Sequence, residues 1–427
     1  MFQFFKSSFF NFEFIRVLGT APFGGADTAE CLDAASRIKN NDPESWFRAW
    51  LALAEKSEVL ANEALQDGDR AAARDAFLRS SNYYRASQYM FCDLPGNPEP
   101  RIERLFGKSV ANFRLATQFL DADVKFLSIP YESRQTLPGY IYLPTPHNRP
   151  PGKIPVLINC GGADSTQEEL YSLYPASGIE RGYAVLTFDG PGQGIMLRRD
   201  KLCMRPDWEI VIKSVLDHLE TISTGLDLDL DRIAIAGASM GGYYALRGAS
   251  DTRIAACISI DPIYDMWDIA IDRMPAAFIN AWMSGWLSNN FFNRTWRVLS
   301  YFDFQIHWEL SHCMWIFGKP SAALAMKEMQ RWTLRGPRDN VPFLSKIKCP
   351  VLVSGATGTI YLRPEISTLR VAEDLAHLPE GYKEVWIAHE PGDGGLQAKV
   401  GAWKLLQQRT FQFLDRHLDV RRPTLDG

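Results

Sequence analysis

The residues most able to do chemistry lie in one short stretch, Gly237-Ala238-Ser239-Met240-Gly241. It follows an apolar run of strand length, Arg232 to Ala236, and precedes a segment that reads as the start of a helix. Where a buried strand turns sharply into a helix, the residue at the turn has its side chain pushed into open space. Small residues two positions to either side let the strand and helix backbones close on that turn. A serine held there is a candidate nucleophile. The helix N-terminus behind it supplies free N–H groups and the positive end of a dipole, which favour negative charge developing on a reacting carbonyl oxygen. The backbone N–H of Met240 is therefore one expected donor to such an oxyanion.

The elements that must position this serine can be read from apolar periodicity. Val124 to Pro130 and Leu137 to Leu143 read as an antiparallel opening pair. Ile154 to Cys160, Tyr183 to Asp189, Ile254 to Ile260, Cys349 to Ser354 and Tyr382 to Ala388 read as buried strands. Helical patterns lie between them, around Trp208 to Thr221, Pro364 to His377 and Leu396 to His417. Strands alternating with helices predict a mostly parallel, doubly wound α/β sheet. Ile154–Cys160 ends in Gly161-Gly162-Ala163-Asp164-Ser165, with Ser165 and Glu168 at capping-box spacing for a following helix. An N–H of Gly162 or Ala163 is the expected second oxyanion donor. Gly190-Pro-Gly-Gln-Gly194 does not have the spacing of a nucleotide-binding loop and reads as a tight turn.

Two other regions are helical. From Asp42 to Phe119 apolar residues recur at three- and four-residue spacing, with a helix start at Asp42-Pro43 and a break at Asp93 to Pro98. This predicts an N-terminal helical domain, residues 1–120, set before a core at 121–427. Residues 262–340 lack strand alternation and are rich in aromatics, which predicts a helical lid inserted in the core. The Phe-rich N-terminus is too interrupted for a signal peptide and is expected to pack at a domain or subunit interface, which leaves a homodimer open.

The 427 residues carry a formal net charge of −4 and 46% hydrophobic residues, with no basic excess to suggest nucleic acid. The seven cysteines are scattered and odd in number, which reads as reduced thiols of a cytoplasmic protein. No His/Cys spacing suggests a metal, no cofactor motif is present, and no apolar run reaches the roughly 18 residues needed to span a bilayer.

The three motifs Gly161-Gly-Ala-Asp-Ser-Thr-Gln-Glu-Glu169, Asp189-Gly-Pro-Gly-Gln-Gly194 and Gly237-Ala-Ser-Met-Gly-Gly242, in that order, resemble an α/β-hydrolase. The resemblance covers residues 40–415. It is to the group with an N-terminal helical domain that includes fungal yellowish-green-type polyketide hydrolases and 2,6-dihydroxypseudooxynicotine hydrolase. The chain is also similar to hydrolase-like proteins of fungal polyketide–peptide pathways, of the cytochalasan and fusarin types. The resemblance implies a serine-dependent enzyme of fungal-type secondary metabolism that acts on a carbonyl of an apolar, polyketide-derived small molecule, by C–C or ester hydrolysis. The alternative is a hydrolase-like cyclase that closes a ring on a polyketide–peptide aldehyde by aldol or Knoevenagel chemistry, and a further alternative is a non-catalytic binding protein.

A complete triad would place an acid after the strand ending at Ser354 and a histidine after the last strand. The first position reads Gly355-Ala-Thr-Gly-Thr-Ile360, without a carboxylate, and the second contains His389 at the strand edge and Gln397 further on. One arrangement uses His389 as base and Asp261, after an earlier strand, as acid; in the other no histidine reaches Ser239. His389 also reads as a surface histidine and Asp261 as an N-cap. His307 and His312 are further bases on offer, or packing residues.

Overall fold

The computed structural model describes residues 2–94, 96–132, 135–336 and 341–422. In chain order, five helices come first: α1 (Ser8–Leu18), α2 (Thr28–Arg37), α3 (Pro43–Gln66), α4 (Arg70–Gln88) and α5 (Pro100–Thr117). The next stretch holds β1 (Ala122–Tyr131), β2 (Gln135–Pro144), β3 (Ile154–Cys160), α6 (Pro175–Gly178), β4 (Ala184–Phe188), α7 (Gly194–Arg198) and α8 (Glu209–Leu226). Then follow β5 (Leu228–Ala238), α9 (Met240–Gly248) and β6 (Ala256–Ile260). Five more helices come next: α10 (Met266–Arg273), α11 (Ala276–Met283), α12 (Asn289–Phe302), α13 (Phe304–Ile316) and α14 (Ala322–Glu328). The chain closes with β7 (Val351–Ala356), α15 (Thr368–Asp374), β8 (Lys383–Ala388) and α16 (Trp403–His417).

These elements form two compact units. The first contains Met1–Phe119, Pro191–Pro206 and Asp265–Thr333; the second contains Leu120–Gly190, Asp207–Tyr264 and Leu334–Gly427. Most of the segment read as a lid thus belongs with the N-terminal helices; its residues 337–340 lie outside the described residues.

The first unit is held by aromatic packing. The α3 start is capped by Asp42, whose carboxylate accepts from the N–H groups of Glu44 and Ser45. The spacing of Trp46, Trp50 and Leu53 then buries one stripe of that helix. Phe9, Phe10, Phe12 and Phe14 of α1 are buried in this unit. Phe10 meets Trp46 with centroids 5.4 Å apart, and Phe9 meets Trp308 of α13 at 5.0 Å. The Trp308 indole N–H donates to the Tyr89 carbonyl at 2.9 Å. The Phe-rich segment is therefore a core helix of its own unit.

The second unit is an eight-stranded sheet in the order β1-β2-β4-β3-β5-β6-β7-β8. The pairs β1/β2 and β2/β4 are antiparallel and every other pair is parallel. The parallel strands β3, β4, β6 and β7 are buried along their whole length, as expected when helices cover both faces. The C-terminal ends of β3, β5, β6, β7 and β8 lie along one edge, where loops of such a sheet gather functional residues.

Candidate active site

Ser239 sits between β5 and α9 with φ 57° and ψ −120°, a backbone conformation costly for a residue with a Cβ. The turn is fixed by Ser239 N–H donating to the Ile260 carbonyl at 2.8 Å, and by Gly242 N–H donating to the Ser239 carbonyl at 2.9 Å. The glycines are required sterically. A Cβ on Gly237 would lie 2.1 Å from the Gly241 carbonyl oxygen, and one on Gly241 would lie 2.5 Å from the Cys160 carbonyl oxygen. Neither fits without moving backbone. Ser239 is half-buried, and its hydroxyl makes no hydrogen bond among the described residues of its unit.

The loop after β3 runs against this elbow. A Cβ on Gly162 would stand 3.5 Å from the Ala238 carbonyl oxygen, which puts the Gly162–Ala163 backbone beside the start of α9. Beyond it, the expected capping box is not formed. The chain continues as a 3₁₀ turn, Glu169–Ser172, whose Glu169 N–H donates to the Thr166 hydroxyl at 3.4 Å. Thr166, Gln167 and Glu168 are all buried, so Glu168 turns away from solvent and accepts from the Tyr140 hydroxyl at 3.0 Å. Its Oε2 is buried without a hydrogen-bond partner. Burial, and then the charge of Asp189, push the Glu168 carboxyl up to about 8. Asp189 accepts from the Gln167 N–H at 2.9 Å and so ties this loop to the end of β4.

At the other end of the row lies a knot that the sequence did not announce. Asp261 follows β6 with φ 46° and is buried. Its Oδ1 accepts from the Ser354 hydroxyl at 2.7 Å and from the Lys399 ammonium at 2.8 Å. Lys399 Nζ also donates to the Gly355 carbonyl at 2.9 Å and lies 4.7 Å from the centre of the Trp386 ring. Burial holds the Lys399 amine below its ordinary range, against the opposing pull of the Asp261 carboxylate. Gln397 Nε2 donates to the Asp261 carbonyl at 3.0 Å, and its Oε1 accepts from Thr359 at 2.7 Å. Ala398 and Lys399 both adopt positive φ, 56° and 55°, to make this fit. One Asp261 oxygen, Oδ2, remains buried and without a hydrogen-bond partner among the described residues.

The structure thus brings Ser239, Met240, Gly162, Ala163 and Asp261 to the same sheet edge. Asp261 follows Ile260, whose carbonyl holds the Ser239 N–H. His389 is exposed just past β8; its carbonyl accepts from Thr357, and no hydrogen bond joins it to Asp261 or Ser239 among the described residues. His307 and His312 lie in the first unit, their rings parallel to those of Trp296 and Trp308. Sequence reading missed Lys399 and Ser354. A lysine in Leu-Gln-Ala-Lys-Val carries no pattern that marks it as buried. Glu168 was visible only as a helix cap. Among the described residues no cluster could hold a metal ion, and no helix is long and apolar enough to cross a membrane.

The chain is similar to known proteins along nearly its whole length. The FrsA-like esterase family model matches residues 37–284. The hydrolyase poxO of Penicillium oxalicum is 52% identical over 426 residues, covering 99% of this chain and 100% of that protein. The 20-hydroxy-prefusarin hydrolase of Gibberella moniliformis is 47% identical, with all of both chains covered. The crystal structure of 2,6-dihydroxy-pseudo-oxynicotine hydrolase has the same fold at 21% identity, with a TM-score of 0.68 over 96% of this chain and 99% of that one. The chain belongs to the FrsA-like esterase family and is an enzyme of the α/β-hydrolase type.

Proposed function

We propose that the protein uses Ser239 to attack a carbonyl of an apolar, polyketide-derived small molecule and hydrolyses an ester or C–C bond. The Met240 N–H and an N–H of Gly162 or Ala163 stabilise the oxyanion. The reading rests on one observation above the others: Ser239 is held at a strained elbow with its hydroxyl unpaired, directly at the α9 N-terminus. In this scheme His389, exposed on the loop after β8, turns inward to take the serine proton. The relationship to the 20-hydroxy-prefusarin hydrolase supports the hydrolytic class.

The knot around Asp261 favours a second reading. Lys399 and Ser354 already occupy Oδ1, and Gln397 stands on the loop where a triad histidine is expected. A ring closure of aldol or Knoevenagel type needs only an oxyanion pocket and one base, a role the Asp261 carboxylate takes in this reading once its buried Oδ2 is opened to the site.

Turnover of medium-chain p-nitrophenyl esters separates the two. Hydrolysis predicts turnover by wild type that falls by about 10³-fold or more in both Ser239→Ala and His389→Ala. Turnover that survives His389→Ala removes that histidine. A folded wild type with no turnover rejects the hydrolytic reading in favour of ring closure or of a binding protein.

A further inference from the structure

The first unit carries a surface that the site chemistry does not use. From Met274 to Phe302 the chain contains Arg294 and Arg297 and no carboxylate, in a protein of net charge −4. Helix α12 is fixed by Phe292, which is buried and whose ring lies 4.2 Å from that of Trp282 on α11. Phe292 is the one residue of α12 that is fully buried.

Trp296 is half-buried, its ring parallel to that of His307, while Phe291, Val298, Leu299, Tyr301 and Phe302 are exposed. Phe291, Val298 and Phe302 fall on one stripe at spacings of seven and four residues, with Leu299 and Tyr301 beside it. Val298 is 59% exposed, Phe302 78% and Tyr301 86%, and Trp286, in the turn before the helix, is 82% exposed. An apolar display of this kind in a water-soluble fold calls for something that covers it. Arg294 and Arg297 are exposed on the flank of that stripe, and neither has an ion-pair partner among the described residues.

This combination fits one kind of surface. A helix with a second apolar face, aromatic residues at its rim and arginines beside them lies flat in the interface of an anionic bilayer. A second copy of the chain fits less well. Arg294 and Arg297 sit at the middle of Asn289–Phe302, so antiparallel pairing of α12 about a two-fold axis would set arginine against arginine. We infer that the α11–α12 face docks the protein reversibly onto a negatively charged lipid surface, with Trp286, Tyr301 and Phe302 entering the headgroup layer and Arg294 and Arg297 meeting lipid phosphates.

Sedimentation of the full chain with large unilamellar vesicles tests this. Wild type is expected to bind phosphatidylcholine vesicles containing about one-third phosphatidylserine at least about tenfold more strongly than pure phosphatidylcholine, the weight of two arginines near an anionic surface. Raised salt weakens the binding. The Trp286→Ser/Tyr301→Ser/Phe302→Ser variant loses binding to both vesicles with an unchanged melting temperature, because the three side chains are exposed. The Arg294→Gln/Arg297→Gln variant keeps only the weak binding seen without phosphatidylserine. Wild type that sediments with neither vesicle overturns the inference, as does a triple variant that binds as wild type does. So does a wild-type dimer in light scattering that the triple substitution dissolves without any vesicle binding, which would assign the face to a second copy.

Discussion

Two ends of one sheet edge are built in opposite ways. At the β5 end, Ser239 is strained and its hydroxyl is left open, with glycines admitted only because a Cβ would strike backbone. At the β6–β8 end, Asp261, Ser354, Lys399, Gln397 and Thr359 bond to one another, in a region where a serine hydrolase needs groups free to move a proton. The first end stores strain and leaves a hydroxyl unpaired among the described residues; the second uses a buried ion pair to fix a loop. In the proposed reading, this sheet keeps the geometry of a nucleophile elbow while the region where a proton relay is expected is occupied by a lock. Within the lock one carboxylate oxygen, Asp261 Oδ2, stays buried without a hydrogen-bond partner among the described residues.

The largest expected effect breaks the lock. Lys399→Met leaves Asp261 buried beside no cation and is expected to cost about 3–5 kcal/mol in urea unfolding. Adding Asp261→Asn should return part of that loss, and a double variant no better than the single would mean the two side chains are not coupled.

Glu168 tests the loop that leans on the elbow. Burial raises its carboxyl from 4.5 to about 8, so the folded state holds the proton more tightly than the unfolded chain does. The stability this contributes is whole below pH 4.5 and is lost as the pH rises to about 8. Glu168→Gln should therefore flatten the fall in unfolding free energy across that window, by an amount on the order of 2–4 kcal/mol. A variant with the wild-type slope would place the carboxylate's titration elsewhere.

The elbow itself should respond in the other direction. Ser239→Gly relieves the positive φ and is expected to stabilise the fold by about 1–2 kcal/mol while abolishing any serine chemistry. Loss of stability in that variant would mean the conformation is not strained. Smallest is Gln397→Ala, which removes two hydrogen bonds and should cost about 1–2 kcal/mol. If Gln397→His raised ester turnover, the lock would be a displaced relay rather than a different device.

Much of this was legible in the sequence, and the rest was hidden for physical reasons. Strands reveal themselves by apolar runs, so Ile154–Cys160 was placed residue for residue and the elbow strand within a few residues. The glycine pattern around Ser239 reads directly because steric exclusion leaves glycine alone. Lys399 could not be read, since burial of a lysine depends on a carboxylate 138 residues away in the chain. Glu168 was misread as a cap because local spacing says nothing of Tyr140, 28 residues earlier, which donates to it. The grouping of residues 265–333 with α1 to α5 also rests on contacts such as Phe9 with Trp308, which no local pattern encodes.

The most direct test of the account is intact mass after incubation with a fluorophosphonate, comparing wild type with Ser239→Ala. Wild type is expected to gain a single adduct, mapped to the peptide containing Ser239, and Ser239→Ala to gain none. A folded wild type that stays unlabelled, or a Ser239→Ala variant labelled as fast as wild type, would contradict the claim that the strained elbow carries the reactive centre.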